Sequence, residues 1–457
     1  MAETGIKALE IAGGRPLHGE LAVQGSKNAA LPILAACLLG DGPCVIENCP
    51  RIQDVEDTLI LLRRLGCQAE RNESTVTVNA SGVNGSCICG REASRIRSSV
   101  LFLGALLGKM GKAVIPYPGG CAIGRRPIDL HLDALRVLGV RFSGKDFGQT
   151  GSGPDGNRSA LADGGNADAA LGKPVAGAGR EASLTGMIVA EALHLHGGNI
   201  HLSIPSVGAT ENSIVAAVCA EGETRIENAA LEPEVDALCD FLRLRGADIV
   251  RNADGSIRIL GKGHLSPIRY RLGADRAAAG SYLLAVAACG GSVRFLNFPF
   301  EQLGALVDVF RSMGGTAMED GTVCSNACLQ ALPYLETAPY PGFPTDLQSP
   351  LMAALSMAHG VSRIRERIFE NRWGTAAQLN RMGARIVTDA ALARIEGPVR
   401  LTGTAVQAPD LRGGAALVAA GLAASGHTVI NGYEYIARGY EDICRDFVRL
   451  GADIRLR

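Results

Sequence analysis

Apolar positions along the chain recur in a unit that predicts alternating helices and strands. A run with helical spacing, as in Asp57-Thr58-Leu59-Ile60-Leu61-Leu62-Arg63-Arg64-Leu65, ends at a Gly-centred element and passes into alternating apolar and polar residues. That element occurs as Leu65-Gly66-Cys67, Leu138-Gly139-Val140, Arg245-Gly246-Ala247, Met313-Gly314-Gly315, Met382-Gly383-Ala384 and Leu450-Gly451-Ala452. Its glycine suits the left-handed residue that closes a helix C-terminus. A second signal, a Gly-bearing turn leading into a short strand, recurs at Gly222 to Asn228, Gly291 to Asn297 and Gly426 to Asn431. Each unit therefore reads strand, helix, strand, with another helix leading in.

The six glycines are separated by 73, 107, 68, 69 and 68 residues. A period near 69 holds throughout if the second interval carries about 38 extra residues. The segment from Ser143 to Arg180, with ten Gly and seven Ala and no apolar periodicity, accounts for them as a flexible surface insertion. It contains Gly151-Ser152-Gly153-Pro154-Asp155-Gly156, which matches a dinucleotide-binding string but follows no strand and opens no helix, so no cofactor is assigned to it. Gly104 to Met110 imitates a phosphate-binding loop with one residue too few between its glycines, and reads instead as a buried helix end.

Composition narrows the class. Across 457 residues, 45 Lys+Arg against 46 Asp+Glu give a formal charge of −1, which argues against adhesion to nucleic acid or an anionic membrane. A hydrophobic share of 47% supports large cores and excludes a disordered chain. Met1 to Lys7 shows no apolar run after a basic start, and no later apolar stretch is long enough to span a bilayer, so a soluble cytoplasmic protein is expected. The thirteen cysteines are mostly single, in apolar contexts and without a Cys-x-x-Cys pair, as expected of small buried thiols in a reducing compartment.

Several polar clusters are candidates for chemistry. Gly25-Ser26-Lys27-Asn28 sets a capping Ser before an apolar helix and a cation in its first turn, where the helix dipole disfavours positive charge unless an anion shares the site. In Pro118 to His131, three glycines bracket Cys121, and Arg125 and Arg126 follow it, a setting that raises thiolate character. Asp129 and His131 suit helix N-terminal positions as well as ligand positions, and no metal-ligand spacing surrounds them. Asp346 stands at a Pro-rigidified turn, while Arg372, Asp410, Arg412 and Arg438 lie in loop-like settings. Lys27, Arg126 and these arginines could converge on a compact, multiply charged anion.

These strings resemble the UDP-N-acetylglucosamine 1-carboxyvinyltransferases, the enolpyruvyl transferases of the first committed step of peptidoglycan synthesis. The matching segments are Gly25 to Leu34, Gly119 to His131, Pro205 to Asn212, Glu227 to Glu234, Thr337 to Gln348, Phe369 to Arg372, Asp410 to Arg412 and Arg438 to Glu441, spanning the chain apart from the insertion. The resemblance implies an α/β fold, a two-domain inverse α/β barrel of six βαβαββ repeats, with the active site in the interdomain cleft. Residues 27–273, with the insertion at about 143–180, would form one domain, and residues 1–26 with 274–457 the other.

By the same resemblance the substrates are phosphoenolpyruvate and UDP-N-acetylglucosamine, with no cofactor, no metal and no obligatory protein partner. Cys121 would donate the proton and be the target of fosfomycin, and Asp346 would deprotonate the sugar hydroxyl. Lys27, Arg126 and Arg438 would hold phosphate, and Arg412 with Arg438 the carboxylate, with Arg372 and Asp410 in the adjoining matched segments. Asn28, Arg97, Pro127, Ile128, Asp129, Leu130, Ser206, Val207, Gly208 and Ile368 fall where the family binds the nucleotide sugar. Trp373-Gly374-Thr375 and Tyr435-Ile436-Ala437 depart from the family pattern. Two other readings are the sibling reaction on shikimate 3-phosphate, which lacks the loop cysteine, and a catalytically silent UDP-sugar-binding relative. Four cations among six charged groups further predict an open cleft in the empty protein.

Overall fold

The computed structural model describes residues 7–89, 93, 97–117, 128–143, 187–261, 265–326 and 328–457. Cys121, Arg126, Pro127 and the insertion with its glycine string lie outside them. Among the described residues the strands form six separate sheets, five of four strands and one of three. One unit shows the plan. The strand Asn199–His201 leads through helix Val207–Ala217 into Gly222–Glu227, to which it pairs in parallel. The chain continues through helix Pro233–Leu244 into the hairpin Asp248–Arg251 and Ile257–Gly261, whose second strand returns antiparallel to Gly222–Glu227.

The six repeat glycines behave as their spacing predicts. Gly66, Gly139, Gly246, Gly314, Gly383 and Gly451 all have φ between +86° and +108°, a conformation costly for any residue with a β-carbon. At the first of them, Gly66 N donates to Arg63 O (3.0 Å) and Cys67 N to Leu62 O (3.0 Å), satisfying carbonyls the helix would otherwise leave open.

Two helix types serve different layers. Outer helices such as Gln53–Arg64 bury one face, with Val55, Leu59 and Leu62 inward and Arg63 and Arg64 outward. Inner helices such as Arg276–Cys289 and Leu411–Ala423 are buried on nearly every side and are built from Ala, Gly, Leu and Val, whose small side chains let helices approach closely. Each fully buried leucine among them, Leu283 for example, stabilises by about 1.5–3 kcal/mol relative to exposure. Gly104 to Met110 lies in helix Phe102–Met110, closed by left-handed Gly111, as a helix end.

The apolar interior divides into two clusters, one drawn from residues 29–272 and the other from residues 9–23 and 278–454. The N-terminal strands belong with the C-terminal part of the chain. Ala8–Ala12 lies between His427–Asn431 and Asp453–Leu456, and Leu17–Leu21 pairs in parallel with Gly291–Phe295. In return Arg269–Arg271 pairs with Pro43–Glu47. The chain thus crosses twice at one place, where Gly25 bridges Ala274 and Asp275 N donates to Gln24 O (2.9 Å). The buried Asp275 caps two helices there, accepting from Lys27 N on one side and from Ala277 N and Ala278 N on the other, each at 2.9 Å.

Two of the thirteen cysteines, Cys87 and Cys89, form a disulfide across one intervening residue, their Cα atoms 6.0 Å apart. Cys37, Cys44, Cys49, Cys67 and Cys239 are buried free thiols, as expected. Strands Arg141–Ser143 and Met187–Glu191 pair with Ser143 opposite Val189.

Candidate active site

A cavity of 580 Å³ opens between the two halves. Helix N-termini set its charged side chains. Ser26 caps helix Lys27–Ala36 by accepting from Ala29 N (3.3 Å), which puts Lys27 and Asn28 on the cavity wall. Ser206 caps Val207–Ala217 in the same way, so Ser206, Val207 and Gly208 face the cavity as a first turn with backbone N–H groups available to an anion. From the other half come Asp346 on the short turn Thr345–Leu347, Ile368 and Arg438.

Two carboxylates organise the cations. Asp54, buried in the first turn of helix Gln53–Arg64, receives Lys27 Nζ at 2.8 Å and Arg438 Nε at 2.8 Å. Burial pushes the Lys27 pKa down, and the Asp54 charge offsets only part of that. Burial alone would raise the Asp54 carboxyl, but the Lys27 and Arg438 charges outweigh it and hold it below the usual carboxylate value. The second carboxylate, Asp346, accepts from Arg372 Nη2 (2.9 Å) and from Arg412 Nη2 (3.1 Å). Arg372 also donates to Thr345 Oγ1, and the buried Glu366 holds Thr345 and the amides of Ile368 and Phe369, fixing this loop beside Asp346.

Part of the cavity lining is acidic. Glu211, Glu232 and Glu234 line the cavity, and Arg276 pairs with Glu234 at 2.9 Å. Burial, reinforced by Glu234 and Glu232, pushes the Glu211 carboxyl well above its ordinary range. The halves also touch through Arg51 N to Glu441 Oε1 (2.9 Å) and Tyr340 N to Glu232 Oε1 (3.4 Å). The expectation of an open empty cleft did not count Asp54, whose single charge offsets part of the repulsion between Lys27 and Arg438.

Of the sequence candidates, Lys27, Asn28, Leu130, Ser206, Val207, Gly208, Asp346, Ile368 and Arg438 share the cavity, with Arg372 and Arg412 directly behind Asp346. Three are not brought to it. Ile128 is packed in the first core, Asp129 is exposed at the start of helix Asp129–Val137, and the Asp410 carboxylate caps Leu411–Ala423 through Arg412 N and Gly413 N. Arg97 begins the turn Arg97–Leu101, and its side chain lies outside the described part. Asp54 was missed because an acid in the first turn of a helix is already explained by the dipole. No group of three or more His, Cys, Asp or Glu suited to a metal occurs among the described residues, and no described helix is long and apolar enough to cross a membrane.

Two like halves enclosing a cleft of paired cations and carboxylates make a framework for transferring a charged group between two bound substrates. The chain belongs to the family described as EPSP synthase (3-phosphoshikimate 1-carboxyvinyltransferase), the enolpyruvyl transferases, whose model matches residues 11–149 and 176–447 and leaves a gap inside the insertion. It is 39% identical over 448 residues to UDP-N-acetylglucosamine 1-carboxyvinyltransferase 2 of Caldanaerobacter subterraneus subsp. tengcongensis, covering 97% of this chain and 98% of that one. It is likewise 39% identical over 450 residues to the UDP-N-acetylglucosamine 1-carboxyvinyltransferase of Myxococcus xanthus, with 97% and 98% covered. Among solved structures, the enolpyruvyl transferase NikO from Streptomyces tendae shares the fold at a TM-score of 0.82 and 24% identity, with 98% of each chain covered. An EPSP synthase from Acinetobacter baumannii does so at 0.70 and 18%, with 99% of this chain and 100% of that one covered.

Proposed function

We propose that this chain transfers the enolpyruvyl group of phosphoenolpyruvate to the 3′-hydroxyl of UDP-N-acetylglucosamine and releases phosphate, the committed step of peptidoglycan synthesis, in the cytoplasm. The observation that supports it is one cavity faced by Lys27 and Arg438, by Asp346 on its two arginines, and by the Ser206 to Gly208 helix turn. Residues 27–273 act as one domain in this reading, and 1–26 with 274–457 as the other.

Lys27, Arg126 and Arg438 take the phosphate, and Arg412 with Arg438 takes the carboxylate. Cys121 adds a proton to the methylene carbon, which leaves C2 cationic. The 3′-oxygen bonds to C2 and passes its proton to Asp346, giving a tetrahedral adduct. Loss of phosphate, with one methyl proton returning to the Cys121 thiolate, restores the double bond, and the proton held by Asp346 leaves with the phosphate. Arg372 and Arg412 hold the Asp346 carboxylate in place, and a hydroxyl already attacking a cationic carbon gives up its proton readily.

Phosphate released from phosphoenolpyruvate, measured with each acceptor in turn, tests the reading. Release with UDP-N-acetylglucosamine and none with shikimate 3-phosphate is expected. The opposite preference, or UDP-sugar binding with no release, overturns it. The Cys121→Ala variant is expected to lose turnover and covalent fosfomycin labelling together, and an adduct on another cysteine in the parent protein would contradict the assigned role of Cys121.

A further inference from the structure

Helix Arg276–Cys289 and the segment after Arg438 bury two tyrosines, Tyr282 and Tyr440, each 1% exposed and packed edge to face with ring centroids 6.0 Å apart. Their hydroxyls go to different places. Tyr282 Oη donates to Asp446 Oδ2 (2.8 Å), a carboxylate also paired with Arg445. Tyr440 Oη lies 2.8 Å from Ser281 Oγ, and Ser281 donates its single hydroxyl hydrogen to Ala277 O (2.8 Å). A carbonyl can only accept, so the proton between the two hydroxyls comes from Tyr440, whose oxygen is left with lone pairs. Burial pushes the Tyr440 pKa up, which keeps that proton in place. The lone pairs meet Arg412, whose positive charge favours them. Otherwise Arg412 is committed to one atom, since Nε and Nη2 both donate to Asp346 Oδ2, at 3.2 and 3.1 Å. Its buried Nη1 completes no hydrogen bond of ordinary geometry, so the contact with Tyr440 is a loose one. A guanidinium held on a single oxygen can pivot about it, unlike one that spans both oxygens of a carboxylate. Tyr440 supplies the second point. Gly439 lets its segment lie against the start of helix Leu411–Ala423, where a β-carbon would come within 2.7 Å of Leu411 Cδ1.

We propose that Tyr440 is a positioning residue for the transfer, its proton fixed on Ser281 and its lone pairs turned to Arg412, so that the guanidinium is steadied for the carboxylate of phosphoenolpyruvate. This rests on the function proposed above. Ser281 acts only through Tyr440, by taking the proton that would otherwise face the cation. Tyr282 is the internal control, because its equally buried hydroxyl is directed to Asp446 instead.

The test is steady-state phosphate release by full-length protein, with the KM measured for each substrate. Tyr440→Phe keeps the ring and removes the oxygen, and is expected to raise the KM for phosphoenolpyruvate about fivefold while the KM for UDP-N-acetylglucosamine stays within about twofold. Ser281→Ala frees the Tyr440 proton to turn toward Arg412 and should raise the same KM. In the double variant the Ser281 change should add nothing to Tyr440→Phe, because the oxygen through which it acts is gone. Tyr282→Phe should lower Tm and leave both KM values within about twofold. An unchanged KM for phosphoenolpyruvate in Tyr440→Phe, or a Ser281→Ala effect that persists in the double variant, would overturn the relay. Equal rises in both KM values for both Tyr→Phe variants, with lowered Tm, would mark Tyr440 as merely structural. A parent protein that releases no phosphate with UDP-N-acetylglucosamine removes the proposed function and this role with it, whereas an active parent with an unmoved Tyr440→Phe variant removes only the role of Tyr440.

Discussion

Asp54 and Asp346 are each a carboxylate between two cations, yet their geometries are reversed. At Asp54 the carboxylate is the buried member, its side chain 5% exposed, and one of its partners, Arg438, reaches it from the other half with 35% of its side chain exposed. At Asp346 the carboxylate side chain is 31% exposed to the cavity, while Arg372 and Arg412, both from its own half, are 2% and 5% exposed. The same charges therefore do different work. A buried acid joined to both halves sets how the halves meet, whereas an accessible acid on a rigid cationic base is available to a substrate.

The largest expected effect tests the accessible member. Asp346→Asn keeps the shape and removes the base, so turnover should fall by roughly 10²–10⁴-fold in the phosphate-release assay, and because it strands the buried Arg372 and Arg412 charges it should also cost stability. Asp54→Asn should cost about 3–5 kcal/mol in urea unfolding, because it strands the buried Lys27 charge. If Asp54→Asn lowered turnover as much as Asp346→Asn, the contrast between the acid that joins the halves and the acid that serves as base would collapse. Arg438→Ala should cost about 1 kcal/mol or less of stability, since its side chain is a third exposed, and should weaken phosphoenolpyruvate more than the sugar nucleotide in equilibrium binding.

The acidic wall gives a pH test of the same logic. The folded-state pKa of Glu211 is raised by burial and by its neighbours Glu234 and Glu232, so its contribution is full below the unfolded value near 4.5 and is lost as pH rises through the folded value. Asp54 has the opposite sign, its contribution being lost as pH falls through a lowered folded value. Glu211→Gln should therefore gain on the parent protein in Tm as pH rises above about 5 and match it near pH 4, and a gain at acid pH instead would contradict the burial argument. The smallest effect is expected from deleting residues 144–180. Ser143 and Val189 already face each other across paired strands, so shortening the connection should change stability by less than about 1 kcal/mol, and an insoluble product would show that the insertion belongs to the core.

Much of this was legible in residue order. The six glycines announced the repeats because a left-handed helix end tolerates little else, and all six have positive φ. Lys27 was legible because a cation in a first helical turn is locally unfavourable and so asks for an anion, which Asp54 supplies. Asp54 was locally ordinary and gave no such signal. Asp410 misled for the same local reason, since a polar Asp-Leu-Arg string suits a ligand site and a helix cap alike, and its carboxylate caps the helix.

By itself the chain order determined the period of the repeats, their capped helices, the place of the insertion and most of the cationic residues, because each depends on local backbone conformation or on a spacing that can be counted along the chain. The crossing at Gly25 and Ala274, the pairing of Arg438 with Asp54 384 residues away, and the bond from Arg51 N to Glu441 across the halves were decided only by the tertiary structure. They join groups whose separation along the chain carries no periodic signal, and their energies exist only once burial removes water from between them.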